Sequence, residues 1–186
     1  MAASAKPIQR PFTACSREEI SVKLRVLSGK IPTDLYGHVY LNSPCGTVNS
    51  PTPYPRNLPD GGINGEWADS LFNGDAMLFR FDLNKPGEIH IKSGLLKTPC
   101  YWADEATKYG TDYYKNGLYF QGMGLARSSF RIGTRNQLNT AISPFRFAPD
   151  QPTRITANFD VGRPFELDPV SLTLKTPIGY SWEWRG

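Results

Sequence analysis

Apolar and polar residues alternate from Ile20 to Val26, with Ile20, Val22, Leu24 and Val26 on one side and Ser21, Lys23 and Arg25 on the other. This period of two predicts a half-buried strand. Ser28-Gly29-Lys30-Ile31-Pro32 ends it. A second short strand carries Val39 and Leu41 on one face and His38 and Tyr40 on the other. Met77, Phe79, Phe81 and Leu83 alternate with Leu78, Arg80 and Asp82, and Glu88 to Lys92 resumes the alternation after Asn84-Lys85-Pro86-Gly87. These runs predict a hairpin closed by a short loop. Ile155, Ala157 and Phe159 alternate again, and Phe165-Glu-Leu167 and Leu172-Thr-Leu174 flank Asp168-Pro169-Val170-Ser171 as a second hairpin. A short helix is predicted over Asp104–Lys108, after an interruption at Pro99, whereas Asp112 to Ile132 carries aromatics and glycines without a clear period. Asn42–Gly65 holds five prolines and four glycines and predicts a long loop, a length that in compact domains is usually functional or disordered.

Strands joined by local hairpins, with few helices, predict an all-β fold of antiparallel sheets. Composition supports this: 17 glycines and 16 prolines among 186 residues exclude a helical bundle or coiled coil, because both residues break helix interiors. With 39% apolar and 20% charged residues, the chain is globular rather than disordered. No run approaches the ~18 apolar residues of a membrane-spanning helix. Residues 1–18 read as an N-terminal strap or tail, and 19–186 as one body. The strands are few for the length, and the chain stops at Ser181-Trp-Glu-Trp-Arg-Gly186 without a terminating motif. The expectation is therefore an incomplete domain.

The net charge of +4 is mild and the basic residues are scattered, which gives no basis for a nucleic-acid partner. Cys15, Cys45 and Cys100 form an odd, sparse set, read as reduced thiols rather than a disulfide framework. Met1 to Arg10 lacks the apolar run of a signal peptide. Both point to a cytoplasmic location, with peripheral membrane contact left open.

Candidate chemistry is sparse. His38 and His90 are the two histidines, and a transition-metal site needs three or four converging donors. His90 lies between Ile89 and Ile91 and faces solvent with Glu88 and Lys92, while His38 reads as a structural or surface residue. The cysteine spacing matches no zinc pattern. There is no G-x-S-x-G and no P-loop lysine motif, and Gly122-Met-Gly124 reads as a turn. The carboxylates Asp104-Glu105 and Glu166/Asp168 read as cap or turn residues. Asp160 shares a strand face with Thr156 and Asn158. In a stacked sheet that face can be buried, and a buried carboxylate needs a partner such as an imidazole N–H; taken alone, Asp160 reads as a strand-end turn residue.

Five segments, in order, resemble motifs of the carotenoid cleavage oxygenase family. Ile31-Pro-Thr-Asp-Leu-Tyr-Gly37 followed by Val39-Tyr-Leu-Asn-Ser-Pro44 is similar to the family's IPxDLxGxxYRNGP opening. Phe72-Asn-Gly-Asp-Ala-Met-Leu-Phe-Arg-Phe81 resembles FDGDGMxxxF. Ile91-Lys-Ser-Gly-Leu-Leu-Lys-Thr98 resembles its SRxxxT strand, with Glu105 where a glutamate follows. Asn139-Thr140 resembles an Asn-Thr step, and Asn158-Phe-Asp-Val-Gly-Arg-Pro-Phe-Glu-Leu-Asp-Pro-Val-Ser-Leu172 resembles ExGxPxxLDPxTL.

The resemblance implies part of a seven-bladed β-propeller, with Fe(II) held by four histidines whose orientation is set by surrounding carboxylates. It implies cleavage of a conjugated C=C bond of a carotenoid, apocarotenoid or stilbene with O2, giving aldehydes or ketones. The implied partners are a small polyene and O2, with a nonpolar tunnel open to a membrane surface. His38 and His90 match no ligand position of the family, so the chain is expected to be the N-terminal part of such a protein, with the imidazoles downstream of Gly186, and the 186-residue piece is expected to be inactive. Asp160 matches a glutamate that hydrogen-bonds a ligand histidine, and is one methylene shorter. Leu41 and Ser43 replace the usual Arg and Gly, and Asn73 and Ala76 replace Asp and Gly. The turn there is expected to accept a Cβ at Ala76. Two alternatives stay open: a family relative that binds apocarotenoids without cleaving them, and a short β interaction module.

Overall fold

Two four-stranded antiparallel sheets lie face to face across one apolar seam. The computed structural model describes residues 17–48, 73–122 and 126–184. Among these, the first sheet contains β1 (Ser21–Lys23), β2 (His38–Pro44), β3 (Ala76–Asp82) and β4 (His90–Leu95), in the order β1-β4-β3-β2. After α1 (Pro99–Ala106) and α2 (Asp112–Lys115) comes a small sheet of β5 (Gln121–Gly122), β6 (Arg127–Ser129) and β7 (Gly133–Thr134). The second large sheet is a meander of β8 (Ala141–Phe145), β9 (Arg154–Phe159), β10 (Gly162–Leu167) and β11 (Leu174–Pro177), followed by a 3-10 turn at Ser181–Trp184. The antiparallel, strand-dominated reading holds.

The seam between the large sheets is built by side chains from both. Ala76, Leu78 and Leu96 from the first side meet Leu138, Ala157, Leu167 and Leu172 from the second, with Ile155, Phe159 and Phe165 packed around them. Each fully buried leucine contributes ~1.5–3 kcal/mol by leaving water. Leu138 and Leu172 enter this core with positive φ, 55° and 66°. A leucine in that region is strained by roughly 1–3 kcal/mol, which the burial of its side chain offsets. Gly94 is required by the approach: a Cβ there would stand 2.9 Å from the Leu172 Cβ. Polar bonds clasp the same junction. Tyr40 Oη and Arg80 Nη1 donate to the Pro169 carbonyl, at 3.1 and 2.9 Å, and Arg80 Nη1 and Lys92 Nζ reach the Val170 carbonyl.

The opposite face of the first sheet is covered in part by α1. Met77, Leu95 and Cys45 pack with Tyr101, and Phe79 lies against them. The β3–β4 hairpin forms where predicted, with Met77 opposite Leu95 and Asp82 opposite His90.

Two readings change, at β1 and at the first helix. The predicted strand over 20–26 is only three residues long by pairing, and Ile20, Val22, Leu24 and Val26 are exposed rather than half-buried. On β2, Val39 and Leu41 are exposed while Tyr40 packs on the core, because β2 turns its Tyr40 face toward the second sheet. The helix begins at Pro99 rather than ending an interruption there. Thr98 caps it, accepting from the Tyr101 N–H at 3.1 Å, and proline at the first helical position lacks only an N–H that would be unpaired anyway. β8 has no buried residue, only the half-buried Ile142 and Phe145, so its sequence shows no alternation. Residues 1–16, including Cys15, and 49–65 of the predicted long loop lie outside the described residues.

Candidate functional site

The chemistry of this chain converges on a buried knot of charge beside α1. Asp75 precedes β3, Asp104 stands in the last turn of α1, Arg127 opens β6 and Arg135 follows β7; all four are buried. Arg135 donates from Nε to Asp104 Oδ2 at 2.9 Å, while its Nη2 reaches both Asp104 Oδ2, at 2.8 Å, and Asp75 Oδ1. Arg127 Nη1 adds a bond to the same Asp104 oxygen at 2.9 Å, and its Nη2 donates to the Phe120 carbonyl. Arg17 closes the outer side, donating to Asp75 Oδ2 at 2.8 Å and to the Gly46 carbonyl at 2.7 Å. Guanidinium suits this role because its fixed fork of donors spans two carboxylates. Burial pushes the Asp104 carboxyl up to about 7, against the pull of Arg135. Arg135 stays above its ordinary value although burial opposes its charge, because Asp75 and Asp104 flank it.

Around the knot, asparagines tie loops from distant parts of the chain. Asn42 Nδ2 donates to the Leu138 carbonyl, and Asn139 Nδ2 to the Gly74 carbonyl, both at 2.7 Å. Asn136 Nδ2 donates to the Arg163 carbonyl, and Thr98 Oγ1 to the Asn136 carbonyl. Segments singled out by resemblance therefore meet: the Asn42 strand, the Asn73–Ala76 turn, Thr98 and Asn139. The close approach needing glycine lies at Gly74, where a Cβ would meet the Gly46 nitrogen at 2.2 Å. The expectation of a tight turn at Ala76 is corrected accordingly: Ala76 is already in β3, and its methyl belongs to the core.

The other predicted residues do not gather at one place. Asp160 is exposed in the turn between β9 and β10, as the turn reading held. Thr156, on the same face, is buried. His38 is exposed beside Asn84, whose Nδ2 lies 3.1 Å from Nε2, and beside Asp82. His90 is also exposed and pairs with Glu88 at 3.2 Å. Lys23, Lys85 and His90 hold Glu88 at about 2. Asp168 is a turn residue, as read: its Oδ1 accepts from the N–H groups of Val170 and Ser171, which hold it at about 2. Glu166 pairs with Arg154 at 3.2 Å on the sheet. Asp104 is not a cap, contrary to expectation; its side chain points into the knot. Glu105 stands beside Tyr101, whose hydroxyl is raised by burial and by that carboxylate. Gly122 lies in β5, and the rest of Gly122-Met-Gly124 lies outside the described residues. Sequence reasoning missed Arg127 and Arg135, because their carboxylate partners lie 23 to 60 residues away.

An iron centre does not fit these residues. Among the described residues no group of three or more His, Cys, Asp or Glu could hold a metal ion. The knot's carboxylates are each held by arginines, and the two histidines are exposed on the first sheet. No helix among the described residues is long and apolar enough to cross a membrane.

No curated protein sequence matches the chain. Solved structures do. A single-residue variant of apocarotenoid oxygenase from Synechocystis superposes with a TM-score of 0.60 at 20% identity, over 91% of this chain and 31% of the other. A chimera of that oxygenase with RPE65 gives 0.62 at 19% identity, over 90% and 31%. The cobalt-substituted Synechocystis enzyme gives 0.58 at 20% identity, over 90% and 31%. The chain thus spans about a third of the length of these structures, and at this identity the likeness shows the fold. The family model of the retinal pigment epithelial membrane protein, RPE65, matches residues 12–183, and the chain belongs to that family, the carotenoid oxygenases.

Proposed function

We propose that this chain is part of a non-haem Fe(II)-dependent dioxygenase. The reaction splits one conjugated C=C bond of a carotenoid or apocarotenoid; both atoms of O2 end as the carbonyl oxygens of two products. The observation that carries this reading is the family match over residues 12–183. The two four-stranded antiparallel sheets support it as neighbouring blades of a seven-bladed propeller. Imidazoles outside this chain supply the iron ligands, and Asp160 is the carboxylate that orients one of them. The clasp at Pro169 and Val170 ties the second sheet, whose β9–β10 turn carries Asp160, to the first. An apolar polyene is delivered from a membrane surface by peripheral contact, in a cytoplasmic protein.

The test is a cleavage assay on the protein expressed from its complete coding sequence, loaded with Fe(II) and given an apocarotenal and O2. Chromatography is expected to show two carbonyl products, each carrying one 18O from 18O2. The 186-residue chain alone is expected to give none. An apocarotenal that binds and is recovered intact from the iron-loaded protein overturns the catalytic reading in favour of a binder.

A further inference from the structure

The first sheet is apolar on both faces. Ala76 and Leu78 of β3 enter the seam, while Met77 and Phe79 lie on the opposite side. On that opposite side the register sets Val22, Ile91, Phe81 and Val39 next to one another, one from each strand. Phe79 and Leu41 are paired in the following row. Val22, Val39 and Leu41 are 47, 46 and 52% exposed, and α1 covers only the far end, at Met77 and Leu95. Ala76-Met-Leu-Phe79 is a continuous apolar run, the pattern of a strand covered on both faces. The second sheet differs. A row on its open face is Ser143, Thr156, Glu166 and Thr176, polar at every strand.

We propose that a further β-sheet of the same polypeptide, encoded beyond Gly186, packs its apolar face on the row Val22, Ile91, Phe81 and Val39. This rests on the reading above that the chain is part of a longer protein. Three observations choose this occupant. The chain spans 31% of the Synechocystis oxygenase variant on which it superposes, so most of such a polypeptide is left to supply a cover. The row crosses all four strands as a flat band, and the same sheet already buries its other face against a sheet; interdigitated rows of this kind fill the space between packed sheets. A second copy stacked head to tail would instead set hydrocarbon against Ser143, Glu166 and Thr176, taking polar groups out of water without partners.

Hydroxyl-radical footprinting of Val22, Val39 and Leu41 tests it, on the 186-residue chain and on the protein expressed from its complete coding sequence. Each side chain is expected to be labelled severalfold more slowly in the complete protein, at every protein concentration. Equal labelling of the two overturns the proposal. Protection that grows with concentration, in step with dimerisation seen by sedimentation, assigns the face to a second copy and also overturns it. The cleavage assay is read separately: protection without carbonyl products keeps the interface and rejects the catalyst, and products without protection do the reverse. Should the 186-residue chain not fold, Leu41→Lys in the complete protein decides. A thermal midpoint lowered by roughly 4 °C or more supports a covered face, and an unchanged midpoint overturns it.

Discussion

Arg135 stands between Asp75 and Asp104 and bonds both, so one guanidinium joins the start of β3 to the last turn of α1. Neither carboxylate is exposed to water. Removing one member of such a set leaves the others buried without compensation, which costs about 3–5 kcal/mol. Arg135→Ala is expected to lose that much in urea denaturation. Arg135→Lys is expected to recover little of it, because an ammonium cannot span both carboxylates. A loss below 1 kcal/mol for Arg135→Ala contradicts the role of the knot.

The close approach expected at Ala76 lies at Gly74 instead. A Cβ on Gly74 collides with the backbone of Gly46, and backbone cannot give way as a flexible side chain can. Gly74→Ala is expected to destabilise by about 1–3 kcal/mol. Ala76→Gly is expected to cost about 1 kcal/mol through a lost core methyl and a freer unfolded chain. If Ala76→Gly stabilises the protein, the tight turn lies at 76 after all.

Arg80 carries two bonds from the first sheet to the turn of the second. Each hydrogen bond is worth roughly 0.5–1.5 kcal/mol net. Arg80→Ala is expected to lower stability by about 1–2 kcal/mol and to loosen the 168–171 turn. Hydrogen exchange at Leu172, whose N–H bonds the Asp168 carbonyl, reports the second effect.

Asp168 and Asp104 act on acid stability with opposite signs. The Asp168 carboxyl is depressed to about 2 by the Val170 and Ser171 amides. Its contribution is present above the ordinary aspartate value and is lost as pH falls from about 4 to 2. Asp104, raised to about 7, gives stability that declines as pH rises from about 4 to 7. Thermal midpoints of Asp168→Asn are expected to fall less steeply below pH 4 than those of the unaltered chain, since the amide oxygen accepts both bonds without titrating. An unchanged slope contradicts this assignment.

The hairpins were legible because their strands obey a local period, and the turn at Asp168 because its chemistry acts within three residues. The faces of β1 and β2 were not. Alternation gives two faces but not which one meets the neighbouring sheet, and on β2 it is the Tyr40 face that does. Pro99 was read as a break, although a preceding Thr98 is a capping signal. The knot was illegible for a different reason: its attractions act across 23 to 60 residues, and nothing local distinguishes Arg135 from a solvated arginine. Asp160 was legible from the face it shares with Thr156 and Asn158 and from the resemblance, and it lies exposed in the β9–β10 turn.

An anomalous difference map at the iron edge, from crystals of the Fe(II)-loaded protein expressed from its complete coding sequence, tests the central claim most directly. The account predicts one iron held by imidazoles other than His38 and His90, with the Asp160 carboxylate bonded to one of them. Iron held by His38 or His90, or no bound iron at all, contradicts it.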